Sequence, residues 1–192
     1  MAIYKVVIVL CFCVVSKHSI AQYSPNIPPP VDLGIQNISQ QTQVWCWAAV
    51  AQQIIAAING PQNTPQQCVM VAIANNASPQ YCCNNTQGCM VTGSLQQIQS
   101  LIAHFGGRYS SIAPPADPMT IYNALASGKA IIMAVRSSPY SGHVVVIRGM
   151  HWIQTRFGFQ PVLLINDPMS HFTQPVPFQN LAAIWQAAIL VY

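Results

Sequence analysis

The hydrophobic pattern of this 192-residue chain changes from helical to strand-like beyond its middle. Apolar residues first recur at helical spacing, which predicts helices at 44–58, 65–75, 94–105 and 119–126. Short runs rich in Val and Ile then alternate with Gly, Pro and Ser, which predicts strands at 130–135, 143–148, 162–165 and 187–191. Helices followed by strands indicate an α+β protein with a helical half and an antiparallel sheet half.

The composition excludes several classes of protein. Apolar residues make up 52% of the chain and charged residues only 5%, so the chain can bury enough surface to fold and is not disordered. Its length fits one domain, or two lobes around one cleft. The basic residues beyond the N-terminal segment are scattered singly, with no stripe that could follow a phosphate backbone. We therefore expect no nucleic-acid partner.

The N-terminus has the pattern of a secretory signal peptide. Lys5 provides the positive charge, residues 6–15 are an apolar run, and Ser19-Ile20-Ala21 places small residues where signal peptidase inspects the chain. We predict a signal peptide at 1–21, with an uncleaved tether as the alternative. No run reaches the ~20 apolar residues of a transmembrane helix. The mature protein is expected to be secreted, extracellular or periplasmic, without a stable membrane anchor.

The rest of the chain divides into a short segment and one folded domain. Residues 22–34 are rich in proline and are expected to be extended. The folded domain is predicted to span residues 35–192. Its helical lobe is expected at about 35–108 and its β lobe at about 109–192, where the hydrophobic pattern changes.

Export determines how the cysteines are interpreted. Five remain after removal of the signal peptide, and in an oxidising compartment an odd number predicts two disulfides and one free thiol. The natural disulfide set lies within 22 residues and consists of Cys68, Cys82, Cys83 and Cys89. We expect Cys68 to pair with one of the two adjacent cysteines and Cys89 with the other, since a bridge between neighbours would form a strained ring. A zinc site is the alternative, although adjacent cysteines chelate a tetrahedral ion poorly.

The fifth cysteine stands apart, at the start of the first predicted helix. Cys46 is flanked by Trp45 and Trp47, and Gln40 lies six residues upstream. A cysteine at a helix N-terminus meets the positive end of the helix dipole and unpaired backbone N–H groups, which stabilise the thiolate. Cys46 is therefore a candidate nucleophile, with a packed core thiol as the alternative.

Two residues of the strand-rich half complete a candidate catalytic set. His143 opens the apolar run GHVVVI, where a histidine has no packing reason to be, because its ring nitrogens need partners. Asp167 follows an apolar run, and its carboxylate suits a residue that orients an imidazole and stabilises the imidazolium. Asn166 is the alternative third member, and a structural histidine beside a plain turn is the simpler explanation. The histidines that we expect to be structural or on the surface are His104, His151 and His171.

Together these motifs resemble the papain-like cysteine peptidases. A glutamine, five further residues and then Cys-Trp-Ala form the nucleophile signature of that family. The string QQTQVWCWAA looks like the compact bacterial branch that includes the C39-like and AvrRpt2-like peptidases. The other matching pieces follow in order as Gln67-Cys68, Cys82-Cys83, Cys89, GHVVVI and Ile165-Asn166-Asp167-Pro168. The resemblance covers residue 35 to the C-terminus.

The resemblance implies a papain-like fold, with the cleft between an N-terminal helical lobe and a C-terminal antiparallel β lobe. It implies hydrolysis of a peptide or protein substrate through a thioester, with Cys46 as nucleophile, His143 as general base and Asp167 as its partner. The side-chain amide of Gln40 and the backbone N–H of Cys46 would stabilise the oxyanion. The alternatives to Gln40, which the six-residue spacing disfavours, are Gln41 and Gln43. No cofactor and no metal are expected.

Two other classes of function stay open. A deamidase, a transglutaminase or an amidase would use the same triad, because a thioester intermediate does not dictate the acceptor. A catalytically silent binding module, presenting a surface rich in Asn and Gln to a partner, is the second. The intact set of Gln, Cys, His and Asp favours an enzyme, namely a cysteine-type peptidase.

Overall fold

The computed structural model describes residues 27–138, 141–172 and 174–192. The predicted signal peptide at 1–21 lies outside these residues, as does the first part of the 22–34 segment. Across the described ranges, no helix combines the length and the apolar character that crossing a membrane would require.

Four α-helices form the first half of the described chain, and two of them pack against a central one. Their bounds are α1 at Cys46–Asn59, α2 at Gln67–Ala74, α3 at Tyr81–Asn84 and α4 at Leu95–Gly106. Helix α1 is buried over most of its length and contacts α2 and α4, which fits its almost wholly apolar sequence. It ends at Asn59 and is followed by Gly60, whose φ of +83° suits glycine. A capping box between Ser94 and Gln97 starts α4.

The second half is an antiparallel sheet that has seven strands within the described residues. Their bounds are β1 at Val31–Asp32, β2 at Ser110–Ala113, β3 at Ala130–Ser138, β4 at Ser141–Thr155, β5 at Gly158–Asn166, β6 at Val176–Pro177 and β7 at Trp185–Val191. The strand order is β2-β7-β3-β4-β5-β6, and β1 pairs with β4. Two short helices accompany the sheet, α5 at Pro118–Ala126 and α6 at Phe178–Ala182.

The central strands are buried on both faces. In β4, Val144 and Val146 pack into the core shared with α1, α2 and α4, whereas Val145 and Ile147 pack into a second core with α5 and α6. Successive side chains of a strand point to opposite faces, so a strand covered on both faces reads as an unbroken apolar run. This arrangement explains the VVVI sequence after His143.

Two disulfides cross-link the α2–α3 region. Cys68 bonds to Cys83, and Cys82 bonds to Cys89. The predicted pattern, in which each of the adjacent cysteines takes a different partner, is confirmed. The zinc alternative is wrong, because all four sulfurs are used in the bridges.

The predicted α+β class is confirmed, with helices and strands in the expected order. The predicted helices and strands all form, with ends that differ by a few residues, except that β4 continues from the predicted end at 148 to Thr155. The segment predicted to be extended at 22–34 contains β1, which pairs with Gly149 and Met150. The unpredicted elements are β1, β2, β6, α3 and α6.

Candidate active site

Cys46 is the first residue of α1 and lies at the edge of a cleft. Its side chain is half-buried, and it is the free cysteine of the described residues. Because the first N–H groups of a helix have no acceptor within the helix, the backbone N–H groups at the start of α1 remain available beside the thiol. The structure therefore places Cys46 where the sequence predicts a nucleophile.

The two tryptophans beside Cys46 fix the start of α1. Trp45 Nε1 donates to the carbonyl oxygen of Cys89 at 2.9 Å, and Trp47 Nε1 donates to that of Val91 at 3.2 Å. Both indoles are buried. The acceptor segment is itself anchored by the Cys82–Cys89 disulfide. Hydrogen bonds on both sides of Cys46 thus hold the thiol in place.

His143 and Asp167 come together because they lie on neighbouring strands. His143 is on β4 and Asp167 directly follows β5, and the register pairs Val146 with Asn166. His143 Nε2 and Asp167 Oδ1 are 2.6 Å apart, and both side chains are buried. Asn166 instead donates from Nδ2 to the carbonyl oxygen of Ile35 at 2.8 Å. Asp167, rather than Asn166, is the hydrogen-bond partner of His143.

The turn after β5 stabilises the Asp167 carboxylate. Oδ1 accepts from the backbone N–H of Met169 at 2.9 Å, and Oδ2 accepts from those of His171 at 2.5 Å and Phe172 at 3.2 Å. Burial acts to raise the pKa of Asp167, but the hydrogen bond to His143, the backbone hydrogen bonds and the imidazolium charge lower this pKa to about 2. Asp167 is therefore an anion at neutral pH.

The imidazole of His143 lies between Asp167 and Cys46. Burial acts to lower the pKa of His143, but hydrogen bonds to Asp167 and to the Cys46 side chain, together with their negative charges, raise this pKa to about 9. Because Nε2 bonds to Asp167, Nδ1 is the ring nitrogen left for the thiol. Below about pH 9 the site therefore favours an imidazolium beside Cys46.

Gln40 lies beside the same turn, but its side chain has another partner. Its backbone N–H donates to the carbonyl oxygen of Pro168 at 3.2 Å, and its Nε2 donates to that of Thr42 at 2.6 Å. Its Oε1 is buried and has no hydrogen-bond partner among the described residues. The structure thus brings Cys46, His143 and Asp167 together and places Gln40 next to them, while the role of Gln40 as an oxyanion donor stays a prediction.

Buried amide side chains hold the segment 35–41, which leads to α1. Gln53 of α1 donates to the carbonyl oxygen of Ile38 and to the side-chain oxygen of Asn37, each at 3.0 Å. Asn37 in turn donates to the carbonyl oxygen of Asp167 at 3.2 Å. Gln67 of α2 bonds to residues on both sides of Gln40. These contacts could not be predicted from the sequence, in which the Gln67-Cys68 motif is their only indication.

The cleft has a volume of about 770 Å³ and lies between the start of α1, α4 and the strands β4 and β7. Apolar side chains form much of its described wall, among them Trp47, Leu95, Ile98 and Val144. Among the described lining residues, the titratable side chains are those of Cys46, His143 and His171. A smaller cavity of about 440 Å³, lined by Lys129 and Tyr192, contains none of the predicted catalytic residues.

His171 lies in the wall of the cleft. It is exposed, as predicted, but its ring centroid is 5.7 Å from that of His143. The ligand atoms of His143, Asp167 and His171 all lie within 4.8 Å of one another, close enough to be tested against a metal ion. Since His143 and Asp167 already bond to each other, these residues are better explained as a catalytic pair with a neighbour, and we assign no metal to them.

Comparison with known proteins decides the family. The model of the Peptidase C39-like family matches residues 32–189, which is most of the chain. The chain belongs to the C39-like peptidase family. This C39-like protein is therefore a cysteine-type peptidase, as the motifs predict. The comparison with curated proteins found no significant match.

Two solved structures show the fold of the C39-like protein. Procathepsin L 3 from the larval midgut of Tenebrio molitor is 11% identical, with a TM-score of 0.55 over 88% of this chain and 71% of that chain. A C39-like peptidase from Bacillus anthracis is 12% identical, with a TM-score of 0.50 over 86% of this chain and 98% of that chain. The predicted papain-like fold is confirmed.

Proposed function

We propose that this C39-like protein is an exported peptidase that hydrolyses peptide bonds through a Cys46–His143–Asp167 triad and a thioester intermediate. One observation carries the proposal. The buried imidazole of His143 bonds to Asp167 at 2.6 Å, and Cys46 lines the same cleft of about 770 Å³, near enough to raise the pKa of His143. A nucleophile, a base and a residue that orients the base are the parts that acyl transfer requires.

In the first half of the reaction, the Cys46 thiolate attacks the carbonyl carbon of the scissile peptide bond. The carbonyl oxygen becomes an oxyanion, which the backbone N–H of Cys46 and the Gln40 amide stabilise. The Gln40 amide has two hydrogens, of which one is donated to Thr42. The C–N bond then breaks, the His143 imidazolium gives its proton to the leaving amine, and the acyl group stays on the sulfur as a thioester.

In the second half, water replaces the amine. The neutral His143 takes a proton from the water, whose oxygen attacks the thioester carbonyl. The C–S bond breaks, the carboxylic acid leaves, and Cys46 and His143 return to the thiolate and imidazolium. Throughout, Asp167 remains an anion and holds the imidazole in one orientation.

The released products separate hydrolysis of peptide bonds from the other acyl transfers. Deamidases, transglutaminases and amidases share the steps up to the thioester, and they release ammonia rather than a new peptide N-terminus. Mass spectrometry of a digested peptide library, with an ammonia assay on the same samples, distinguishes them. Ammonia without new peptide ends would replace the peptidase proposal with one of these activities.

Export is supported by the N-terminal pattern and by two disulfides, since disulfides form and persist in oxidising compartments. The mass of the protein recovered from outside the producing cell tests this part. We expect the recovered chain to begin at Gln22. An intact N-terminus on membrane-bound protein would support the uncleaved tether instead.

The first prediction tests the nucleophile. Cys46→Ala should abolish peptide hydrolysis and leave the circular dichroism spectrum and Tm nearly unchanged, because Cys46 is half-buried at a helix end. An epoxide inhibitor of cysteine peptidases should add once to the parent protein, at Cys46, and not to the variant. Residual hydrolysis by Cys46→Ala, or the presence of Cys46 in a disulfide, would show that Cys46 is not the nucleophile.

A further inference from the structure

The side chain of Gln67, the first residue of α2, is almost completely buried, with 1% of its surface exposed. Its Oε1 accepts from the backbone N–H of Gln41 at 2.9 Å, and its Nε2 donates to the carbonyl oxygen of Ser39 at 2.9 Å. The other hydrogen of Nε2 goes to Oε1 of Gln52, also at 2.9 Å. Both donor hydrogens and the acceptor oxygen of this amide are therefore used.

These hydrogen bonds flank Gln40. The amide of Gln67 pairs with the residue before it and with the residue after it, much as a neighbouring strand would. Gln40 itself is bound through its backbone N–H to Pro168, next to Asp167. Three consecutive residues are thus fixed, and the position of the Gln40 side chain is set from both ends of its backbone.

The orientation of Gln67 is fixed in turn by its own surroundings. Gln52 of α1 accepts from Gln67 and donates from Nε2 to the carbonyl oxygen of Pro65 at 2.8 Å, which excludes the flipped amide of Gln67. The next residue, Cys68, is bonded to Cys83. A fully buried, fully bonded amide on an anchored helix is a rigid support for a loop.

We propose that Gln67 is a positioning residue that holds Gln40 where its amide can donate to the oxyanion. The inference rests on the proposed function, and Gln67 touches neither substrate nor the thiol. Removing its amide leaves Gln41 N–H and the Ser39 carbonyl without their partner, so the loop shifts to find others. The loss therefore falls on the transition state, in which the oxyanion forms, more than on substrate binding.

Hydrogen exchange tests the contact independently of activity. In Gln67→Ala the amide of Gln41 should exchange at least tenfold faster than in the parent. Gln99→Ala is the matched control, because Gln99 also donates to a backbone carbonyl, that of Ser110 at 2.9 Å, and lies outside the cleft lining. This control should leave the exchange at Gln41 unchanged. Equal exchange in Gln67→Ala and the parent would overturn the proposal.

Kinetics test the role in catalysis. Gln67→Ala should lower kcat by about tenfold or more, below the full loss of one oxyanion donor, with KM changed less than about twofold. In a Gln40→Ala background, the same substitution should change kcat by less than about twofold, because the group that it positions is gone. A loss of equal size in both backgrounds, or a change confined to KM, would refute positioning through Gln40.

A second variant covers the case in which Gln67→Ala does not fold. Gln67→Glu keeps the length and the acceptor for Gln41 N–H but loses the donor to Ser39, and it should show the same split between kcat and KM. Unchanged kcat in a folded Gln67→Glu would count against the proposal. A parent protein that hydrolyses no peptide would contradict the proposed function itself, and the catalytic role of Gln67 with it.

Discussion

Asn166 and Asp167 are adjacent and similar in size, but they have different partners. Asp167 bonds to His143, and Asn166 bonds to the backbone of Ile35. Of these two side chains, only that of Asp167 carries a charge, and this charge acts on the imidazole of His143. An anion beside an imidazolium raises the imidazolium pKa, so neutralising that anion must lower it.

This difference predicts the pH dependence of two variants. The basic limb of kcat/KM reports loss of the His143 proton, whose pKa is raised to about 9 by Asp167 and Cys46 against the effect of burial. Asp167→Asn should move this limb to lower pH, and Asn166→Ala should leave it in place and reduce stability. Measuring kcat/KM from about pH 5 to 10 for the parent and both variants tests this prediction. A moved limb in Asn166→Ala alone would give the third role to Asn166.

Removal of the Gln40 side-chain amide tests its proposed role as an oxyanion donor. Gln40→Ala should lower kcat by about 10²- to 10³-fold with a smaller effect on KM, as loss of one oxyanion donor does. Gln43→Ala is the control, because Gln43 lines the cleft and is one of the alternative donors. If the large loss of kcat occurs in Gln43→Ala instead, Gln43 is the donor.

Among the secondary-structure elements, the packing of the loop after Cys89 against α1 is the most sensitive to an added atom. A Cβ at Gly93 would lie 2.1 Å from the ring of the buried Trp47. Gly93→Ala should therefore reduce the stability by about 1–3 kcal/mol and lower kcat, because Trp47 adjoins Cys46. A Cβ at Gly142 would meet its nearest neighbour at 3.8 Å, so Gly142→Ala should keep its stability. Equal midpoints of urea unfolding in both variants would contradict this account of Gly93.

The elements that could be predicted are those with a strong local pattern. The segments VWCWAAVAQQIIAAI and GHVVVI are so apolar that burial is expected in any fold. Their sequences alone therefore indicate a buried helix and a buried strand. β2 has the sequence Ser-Ser-Ile-Ala and forms by pairing with β7, and β6 has two residues. Such strands exist because a partner strand is present, which no local pattern reports.

The same reasoning applies to the site. Cys46, His143 and Asp167 stand out in the sequence as candidates because a helix-start thiol, a histidine in an apolar strand and a carboxylate before proline are each unusual. Gln67 does not, because glutamine is abundant in this chain and its burial depends on how α2 packs. The position of His171 was missed because a turn, rather than a strand, carries it to His143.

For the whole molecule, the two disulfides should contribute unequally to stability. Cys68–Cys83 closes a loop with a sequence separation of 15, and Cys82–Cys89 one with a separation of 7. In the chain-entropy account, the longer loop gives about 3 kcal/mol and the shorter about 2 kcal/mol. Urea unfolding of the two double Cys→Ser variants tests the order. A greater loss from removing the shorter loop would show that native contacts, rather than loop entropy, dominate.

The acid stability of the molecule depends on very few groups, because the chain has only three acidic residues. Burial acts to raise the pKa of Asp32, but hydrogen bonds from Gly34 and Arg148 and the charge of Arg148 lower this pKa below its ordinary value. Hydrogen bonds from the Thr120 side chain and backbone lower the pKa of the exposed Asp117. Asp167 has a pKa of about 2, set by His143 and backbone N–H groups against burial. Because the pKa of each of these three aspartates is lowered in the folded protein, the ionised form of each stabilises the fold.

The His143–Asp167 pair should consequently shape both limbs of the stability profile. Asp167 has a lowered pKa, so its contribution is complete above its ordinary pKa of 3.8 and is lost as the pH falls through about 2. His143 has a raised pKa, so its contribution is complete below 6.5 and is lost as the pH rises through about 9. Stability should be greatest between pH 3.8 and 6.5 and fall by on the order of 3 kcal/mol as the pH rises through about 9.

Urea unfolding at a series of pH values tests this profile in the parent, Asp167→Asn and Asp117→Asn. Asp167→Asn should be less stable at the plateau and should flatten the alkaline limb, because His143 then keeps a pKa closer to its ordinary value in the folded state. Asp117→Asn is the matched control: Asp117 caps α5, where its carboxylate accepts from the backbone N–H groups of Met119 and Thr120, and it is exposed. It should leave the alkaline limb unchanged. An alkaline limb equally steep in Asp167→Asn and the parent would mean that a group other than His143 titrates there, and would remove the carboxylate as the source of the raised imidazolium pKa.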